Sequence, residues 1–215
     1  MQDWGLIEYS LALEKQRALV EDVRTGASHH LIFCSHPEVV TLGRATQVGD
    51  VEQGCPFDVV EVERGGRATY HGPEQLVIYP IFHLDRISKS SEARPRDVVQ
   101  FLRACETITV AIVNQVFQEA GISKAAGTRT GATGVWVEDE RKIASIGIAV
   151  KRWVSLHGIA LNLDVNKNAF RGINPCGYSA RAMTSVEREI GQRVDRAEVQ
   201  KLAVEYFSRL ADLYR

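Results

Sequence analysis

Two strand-like runs, residues 142–150 and 155–163, are separated only by Lys151-Arg-Trp-Val154. So short a link joins antiparallel neighbours, and the pair is expected as a β-hairpin. With Val150 facing Ser155, Gly147 faces Gly158 and Ser145 faces Ala160, all on one side because side chains alternate. A floor so stripped of bulk admits either a ligand or a tightly packed helix. The other side of the first run carries Lys142, Ala144, Ile146, Ile148 and Val150. An ammonium in line with four apolar groups is costly to bury, and the commoner outcome is a lysine at the strand's end reaching water.

The flanking segments supply helices and further strands. A helix is expected from Ser10 as N-cap to about Arg24, closed by Gly26. Pro95 opens a longer one, with the apolar stripe Val98, Phe101, Leu102, Cys105, Ile108, Ile112, Val116 and a stop at Gly121. A last helix begins at about Asp195 with the stripe Val199, Leu202, Tyr206, Leu210, Leu213, covering one sheet face. Short strands are expected at 31–34, 39–42 and 58–62. Another, at 76–84, reads as an edge or broken strand because Pro80 cannot donate to a ladder.

No repeat or long linker divides the 215 residues, so one domain over 1–215 is expected, with 45% hydrophobic residues to build its core. The balance of 26 Lys and Arg against 27 Asp and Glu, a charge of −1, excludes binding nucleic acid or an anionic membrane by bulk attraction. No apolar run approaches the roughly 18 residues of a membrane helix. The first residues carry Asp3 and Glu8 and no arginine before Arg17, unlike a secretion signal or transit peptide, so the cytoplasm is expected. Cysteines at 34, 55, 105 and 176 are too scattered for a disulfide scaffold and read as free thiols.

Three segments rich in Gly, Pro and polar residues could carry chemistry: 64–73, 127–134 and 174–178. The first offers Gly65 and Gly66, able to expose backbone N–H groups, beside Arg64, Arg67 and His71; it matches neither a Walker loop nor a dinucleotide fingerprint. In the third, Pro175 and Gly177 would present Cys176 on a bend, a geometry suited to a nucleophile. Cys55, between Gly54 and Pro56, has a similar setting, whereas Cys34 and Cys105 sit in apolar periodicity. A thiol of pKa about 8.5 needs a cation or base beside it to act as a nucleophile. An ammonium about 4 Å away would contribute about 4 kcal/mol at an intermediate effective dielectric; Lys142 or a histidine could supply it. His29, His30, Cys34 and His36 cluster in sequence but match no zinc spacing.

Taken together, these residues resemble the lipoyl(octanoyl) transferase family. The resemblance runs through His36-Pro, Thr41-Leu-Gly-Arg44, Arg64-Gly-Gly, Thr69-Tyr-His-Gly-Pro73, Thr130-Gly and Gly134-Val-Trp136. It continues through Arg141-Lys-Ile-Ala-Ser-Ile-Gly147, His157-Gly-Ile-Ala-Leu-Asn162, Asn174-Pro-Cys-Gly177 and Met183-Thr-Ser185. Glu74 departs from it, standing where the family more often has Gly. The resemblance implies an α+β fold like the catalytic domain of biotin and lipoate protein ligases, with a mixed, largely antiparallel sheet flanked by helices. It implies transfer of an octanoyl group from octanoyl-acyl carrier protein to the target lysine of apo lipoyl domains, on 2-oxoacid dehydrogenase E2 subunits and the glycine cleavage H protein. Cys176 matches the acyl-thioester nucleophile and Lys142 the lysine that lowers its pKa. Substrate contacts are implied at Arg64, Gly65, Gly66, Arg67, Ala68, Thr69, Tyr70 and His71, at Ser145, Ile146 and Gly147, and at Gly158, Ile159 and Ala160. No cofactor or metal is implied, because the incoming thioester is already activated. Rival readings are an ATP-dependent lipoate or biotin ligase and a noncatalytic carrier-binding module. Arg86, Lys89, Arg94 and Arg96 are candidates for meeting an acidic carrier.

Overall fold

The hairpin forms in the expected register. In the computed structural model, which describes residues 1–87, 97–166, 169–174, 178 and 180–210, β9 (Arg141–Lys151) pairs antiparallel with β10 (Val154–Asn162). Gly147 lies opposite Gly158 and Ser145 opposite Ala160. Arg152 and Trp153 make the turn, both at positive φ (50° and 67°), which matches the twist of a two-residue hairpin connection.

Around this pair stand β1 (Gln2–Leu6), β2 (His30–Ser35), β6 (Gln75–Ile81), β7 (Ala126–Arg129) and β8 (Ala132–Val137). The seven-stranded order is β1-β2-β6-β10-β9-β8-β7, antiparallel throughout except for β1 with β2. A smaller sheet places β3 (Val39–Leu42) between β4 (Asp58–Glu61), parallel to it, and β5 (Thr69–His71), antiparallel. The fold is α+β. Parts of the first two glycine-rich segments are thus strands, with Gly131 at the β7–β8 turn. Among the described residues no helix is long and apolar enough to cross a membrane.

β6 corrects the expectation of an edge strand, since it is buried along its length between β2 and β10. Pro80 is tolerated there because its carbonyl faces β10 and accepts from the Ser155 hydroxyl at 2.6 Å. On that side the ladder has already ended at the Ile159–Ile78 pair, where His157 turns the chain with φ of 59°. No ladder hydrogen bond is therefore lost to the proline.

Apolar layers cover both faces of the large sheet, which accounts for the continuous burial of β6. On one face α2 (Val98–Glu119) buries Phe101, Cys105, Ile108, Ile112 and Val116 against Phe33, Leu76, Ile78, Val135 and Ile146. Asp97 caps it by accepting from the Gln100 N–H; Pro95 lies outside the described residues. The last helix, α4 (Arg196–Ser208), joins the same layer through Val199, Ala203 and Phe207, followed by Leu210 just past its end, whereas Leu202 and Tyr206 are only partly buried and Leu213 lies outside the described residues. On the other face α1 (Tyr9–Arg24) packs against Val77, Tyr79, Leu156 and Ala160. It starts two residues earlier than expected, with Glu8 at the N-cap in place of Ser10, and the Tyr9 ring is buried against His36 and His71. A short helix not read from the sequence, α3 (Val186–Ile190), is capped by the Ser185 hydroxyl accepting from the Arg188 N–H.

Candidate active site

Lys142 is buried, 1% exposed, and does not reach out from the strand's end. Nor does it share the apolar face of Ala144, Ile146 and Ile148. Val135 pairs with Ala144, but the next residue of β8, Trp136, pairs with Lys142, so β9 carries one extra residue at Ile143. That bulge sends Ile143 into the α2 layer and turns Lys142 to the opposite face with Trp136. The lysine stem crosses Gly134, where a Cβ would stand 2.6 Å from Lys142 Cε. The Nζ lies 5.5 Å from the Trp136 ring centroid, and among the described residues no carboxylate pairs with it. The Lys142 carbonyl accepts from the Thr184 N–H at 3.0 Å, tying the Met183-Thr-Ser185 segment to this point of the sheet.

The small-residue floor is covered neither by a helix nor by open space alone. The 64–66 turn lies over it: the Gly65 N–H donates to the Ile148 carbonyl at 3.0 Å, and a Cβ on Gly147 would meet Arg64 Cδ and the Gly65 carbonyl, each at 2.9 Å. Arg64 is held by the carbonyls of Gly65, Arg67 and Thr41 and by the Thr41 hydroxyl. Gly158 is glycine for a local reason, since its Cβ would stand 2.0 Å from the Ile78 carbonyl. Between turn and floor runs a narrow slot of about 30 Å³, room for one or two water molecules. It is lined by Arg64, Gly66, Thr69 and His71 above, and by Ser145, Ile146, Gly147, Gly158, Ile159 and Ala160 below.

Apart from Gly65, in the turn above it, three of the contacts that the resemblance implies do not line this slot. Arg67 pairs with Asp50, Tyr70 packs between Phe57 and Phe170, and Ala68 is buried without lining the slot. Conversely, Tyr9, Val77 and Tyr79 line the slot and were not singled out in the sequence, and His157, which belongs to a segment carrying the resemblance, lines it without having been read as a substrate contact. Burial holds His157 and His36 neutral, pushing each down to about 4, and lowers His71 well below the ordinary imidazole range. His36 is engaged at both ring nitrogens, by the Ile7 carbonyl and the Tyr79 hydroxyl, each at 2.7 Å.

Cys176 lies outside the described residues, as do Pro175 and Gly177. Its described neighbours are anchored on either side. Asn174 donates through its backbone to the Asp50 carbonyl at 2.9 Å and through its side chain to the Gly49 carbonyl at 3.0 Å. Tyr178 packs edge-on against Trp136, centroids 4.9 Å apart, with Arg129 over both rings. Of the other thiols, Cys34 is buried, and burial pushes it up to about 12; Cys105 is shifted upward in the same way, so both are inert. Cys55 is half-buried. Lys89, Arg94 and Arg96 lie outside the described residues, and Arg86 is spent on the Val23 and Ala27 carbonyls at the end of α1.

Residues 8–208 match the lipoyl protein ligase A/B catalytic domain. The chain belongs to that family. Within it, the chain is 46% identical over 208 residues to the octanoyltransferase of Bdellovibrio bacteriovorus, covering 93% of each protein. It is 40% identical over 209 residues to that of Nocardia farcinica, covering 94% of this chain and 77% of the relative. Among solved structures, a lipoate-protein ligase A bound with ATP superposes with a TM-score of 0.71 at 16% identity, covering 99% of this chain and 86% of that one. A Leishmania major biotin protein ligase in complex with biotinyl-5-AMP gives 0.58 at 13%, covering 100% and 75%. This family member is an acyltransferase of the octanoyltransferase type, and octanoyl transfer in protein lipoylation is the activity that membership carries. The lipoyl-ligase fold is likewise that of its structural neighbours.

Proposed function

We propose that octanoyl transfer proceeds through an acyl thioester on Cys176, with octanoyl-acyl carrier protein as donor and apo lipoyl domains of E2 subunits and the glycine cleavage H protein as acceptors, in the cytoplasm. The observation that carries this reading is the buried Lys142 ammonium with no carboxylate partner among the described residues, against the same Trp136 ring that holds Tyr178, two residues after Cys176. A cation so placed lacks a structural ion pair and is supplied for a group yet to be named; a thiolate answers that description.

The steps balance around one proton. Cys176 stands as the thiolate beside the Lys142 ammonium, and the thiolate attacks the donor carbonyl. The bond to the carrier's sulfur breaks, and that thiolate leaves with the proton from Lys142. One thioester replaces another, so no ATP enters. The acceptor lysine's amine then attacks the acyl-enzyme, its proton passes to Lys142, and the amide forms as Cys176 thiolate departs. The acyl chain lies in the slot between Ser145/Ala160 and Gly147/Gly158. Its entry requires the Arg64 stem to slide off Gly147. The ATP-dependent ligase reading, which the structural neighbours alone would allow, requires no essential cysteine.

Intact-mass measurement after incubation with octanoyl-acyl carrier protein tests the scheme. One hydroxylamine-labile adduct is expected without nucleotide, absent in Cys176→Ala. An adduct that persists in that variant, or that forms only with ATP and free octanoate, overturns it.

A further inference from the structure

The slot has a far wall, made by the side chains of Tyr9 and His157. Register orders the lining residues along the hairpin: the Ser145–Ala160 pair, then Gly147–Gly158, then His157 beside Ile148, with Lys142 preceding them on β9 outside the slot. An extended octanoyl chain spans roughly 9 Å from carbonyl to methyl by standard bond geometry. Three strand residues cover about the same distance at roughly 3.3 Å each. A carbonyl lying between Lys142 and Ser145 therefore places the methyl near Gly147–Gly158, against His157.

There the Tyr9 hydroxyl lies 3.2 Å from His157 Nδ1, and His157 Nε2 faces the Glu63 carboxylate at 3.5 Å. His157 is fixed further by its N–H, which donates to Gln16 Oε1 at 2.8 Å, and by its left-handed φ of 59°, which aims the ring out of the regular pleat. Behind it, Glu63 lines a separate groove open to the exterior, with Arg17, Arg44 and Lys151. One imidazole and the carboxylate it touches separate the slot from that groove.

We infer that the Tyr9–His157 pair is the stop that sets acyl length at eight carbons, and that opening it joins the slot to the outer groove so that longer chains thread through. The inference rests on the reading that the slot holds the acyl chain. Single-turnover acylation is followed by intact mass with carrier protein loaded with saturated six- to fourteen-carbon chains. In the unaltered enzyme the rate rises to eight carbons and falls about tenfold or more by twelve. Tyr9→Ala and His157→Asn, the latter tolerant of the left-handed φ, each raise the dodecanoyl-to-octanoyl ratio about tenfold or more; Tyr9→Phe, which keeps the ring, leaves octanoyl the preferred chain. A rate in the unaltered enzyme that is level from eight to fourteen carbons overturns the stop whether or not the variants fold. So does an unmoved ratio in a folded variant. Ala160→Leu, which fills the near slot, separates the two readings. If it slows every chain length while the wall variants change nothing, only the stop is wrong; if it too changes nothing, the acyl chain does not lie in the slot.

Discussion

Lys142 and Trp136 are cross-strand partners whose side chains share the face opposite the α2 core, the ammonium 5.5 Å from the ring centroid. One inserted residue at Ile143 makes this possible: without it, the lysine would point into the apolar layer that holds Ala144 and Ile146. The bulge thus changes a position that would be prohibitive for a charge into one that shares the Trp136 ring with Tyr178.

Gly134 should be intolerant of even one added methyl. A Cβ there would stand 2.5 Å from the Ala144 carbonyl and 2.6 Å from Lys142 Cε, at a φ of 130° that side chains avoid. Gly134→Ala is expected to cost about 1–3 kcal/mol in denaturant unfolding and to slow iodoacetamide alkylation of Cys176 at neutral pH about tenfold as Lys142 is displaced. Alkylation at the unaltered rate in a folded variant would separate Lys142 from the thiol.

Gly147→Ala probes the slot without touching the lysine. Its Cβ would crowd Arg64 Cδ, a movable stem, and the Gly65 carbonyl, which is backbone and cannot retreat cheaply. The expected outcome is octanoyl acylation slowed about tenfold, with alkylation by a small reagent within about twofold and a stability loss of about 1–3 kcal/mol. Equal slowing of both reactions would mean the change had reached Cys176 itself.

Local chemistry in the sequence was legible where one rule acted alone. The Gly147–Gly158 register followed from the short Lys151–Val154 link and alternation, and Asp195 marks the start of α4, whereas α2 begins at Val98 behind the Asp97 cap and not at Pro95. Positions decided by a distant partner were not legible. Pro80 sits mid-sheet because β10 bends away at His157, and Lys142 changes face because β8 and β9 differ by one residue. Tyr9 and His157 are 148 positions apart, and neither carries a spacing signal; only folding brings them to one wall. The three unabsorbed contacts, Arg67, Ala68 and Tyr70, lie in a segment whose resemblance was read as continuous, whereas the strand β5 alternates and turns Tyr70 away.

Acid should destabilise this fold in two windows. His36 and His157 are held neutral to about 4 in the folded chain, whereas an unfolded histidine titrates near 6.5. The unfolded chain then binds more protons between these values, so their contribution is full above about 6.5 and is lost as pH falls toward 4. A melting temperature lower by roughly 5 °C or more at pH 5 than at pH 7 is expected, at roughly 2–4 °C per kcal/mol. His157→Asn should make the slope shallower. A flat melting temperature across that range would mean these rings are protonated when folded.

The second window belongs to Glu189. Its carboxylate accepts from Arg141 at 2.8 and 3.2 Å, Lys124 at 2.9 Å and the Thr184 hydroxyl at 2.7 Å, and these partners bring it down to about 2 despite the cost of burial. A folded value below the unfolded one means the contribution is full above about 4.3 and is lost as pH falls toward 2. Thr184 also donates through its backbone to the Lys142 carbonyl, so Glu189 holds both Arg141, which precedes the proposed proton carrier in β9, and the residue that ties down its carbonyl. Glu189→Gln keeps the shape and removes the charge that three donors face. It is expected to cost about 2–3 kcal/mol at neutral pH, to lose the acid step between about 4.3 and 2, and to lower kcat more than the KM for the carrier-bound donor. A variant with unaltered stability but the same kcat loss would place Glu189 in the chemistry itself and not in the support beneath Lys142.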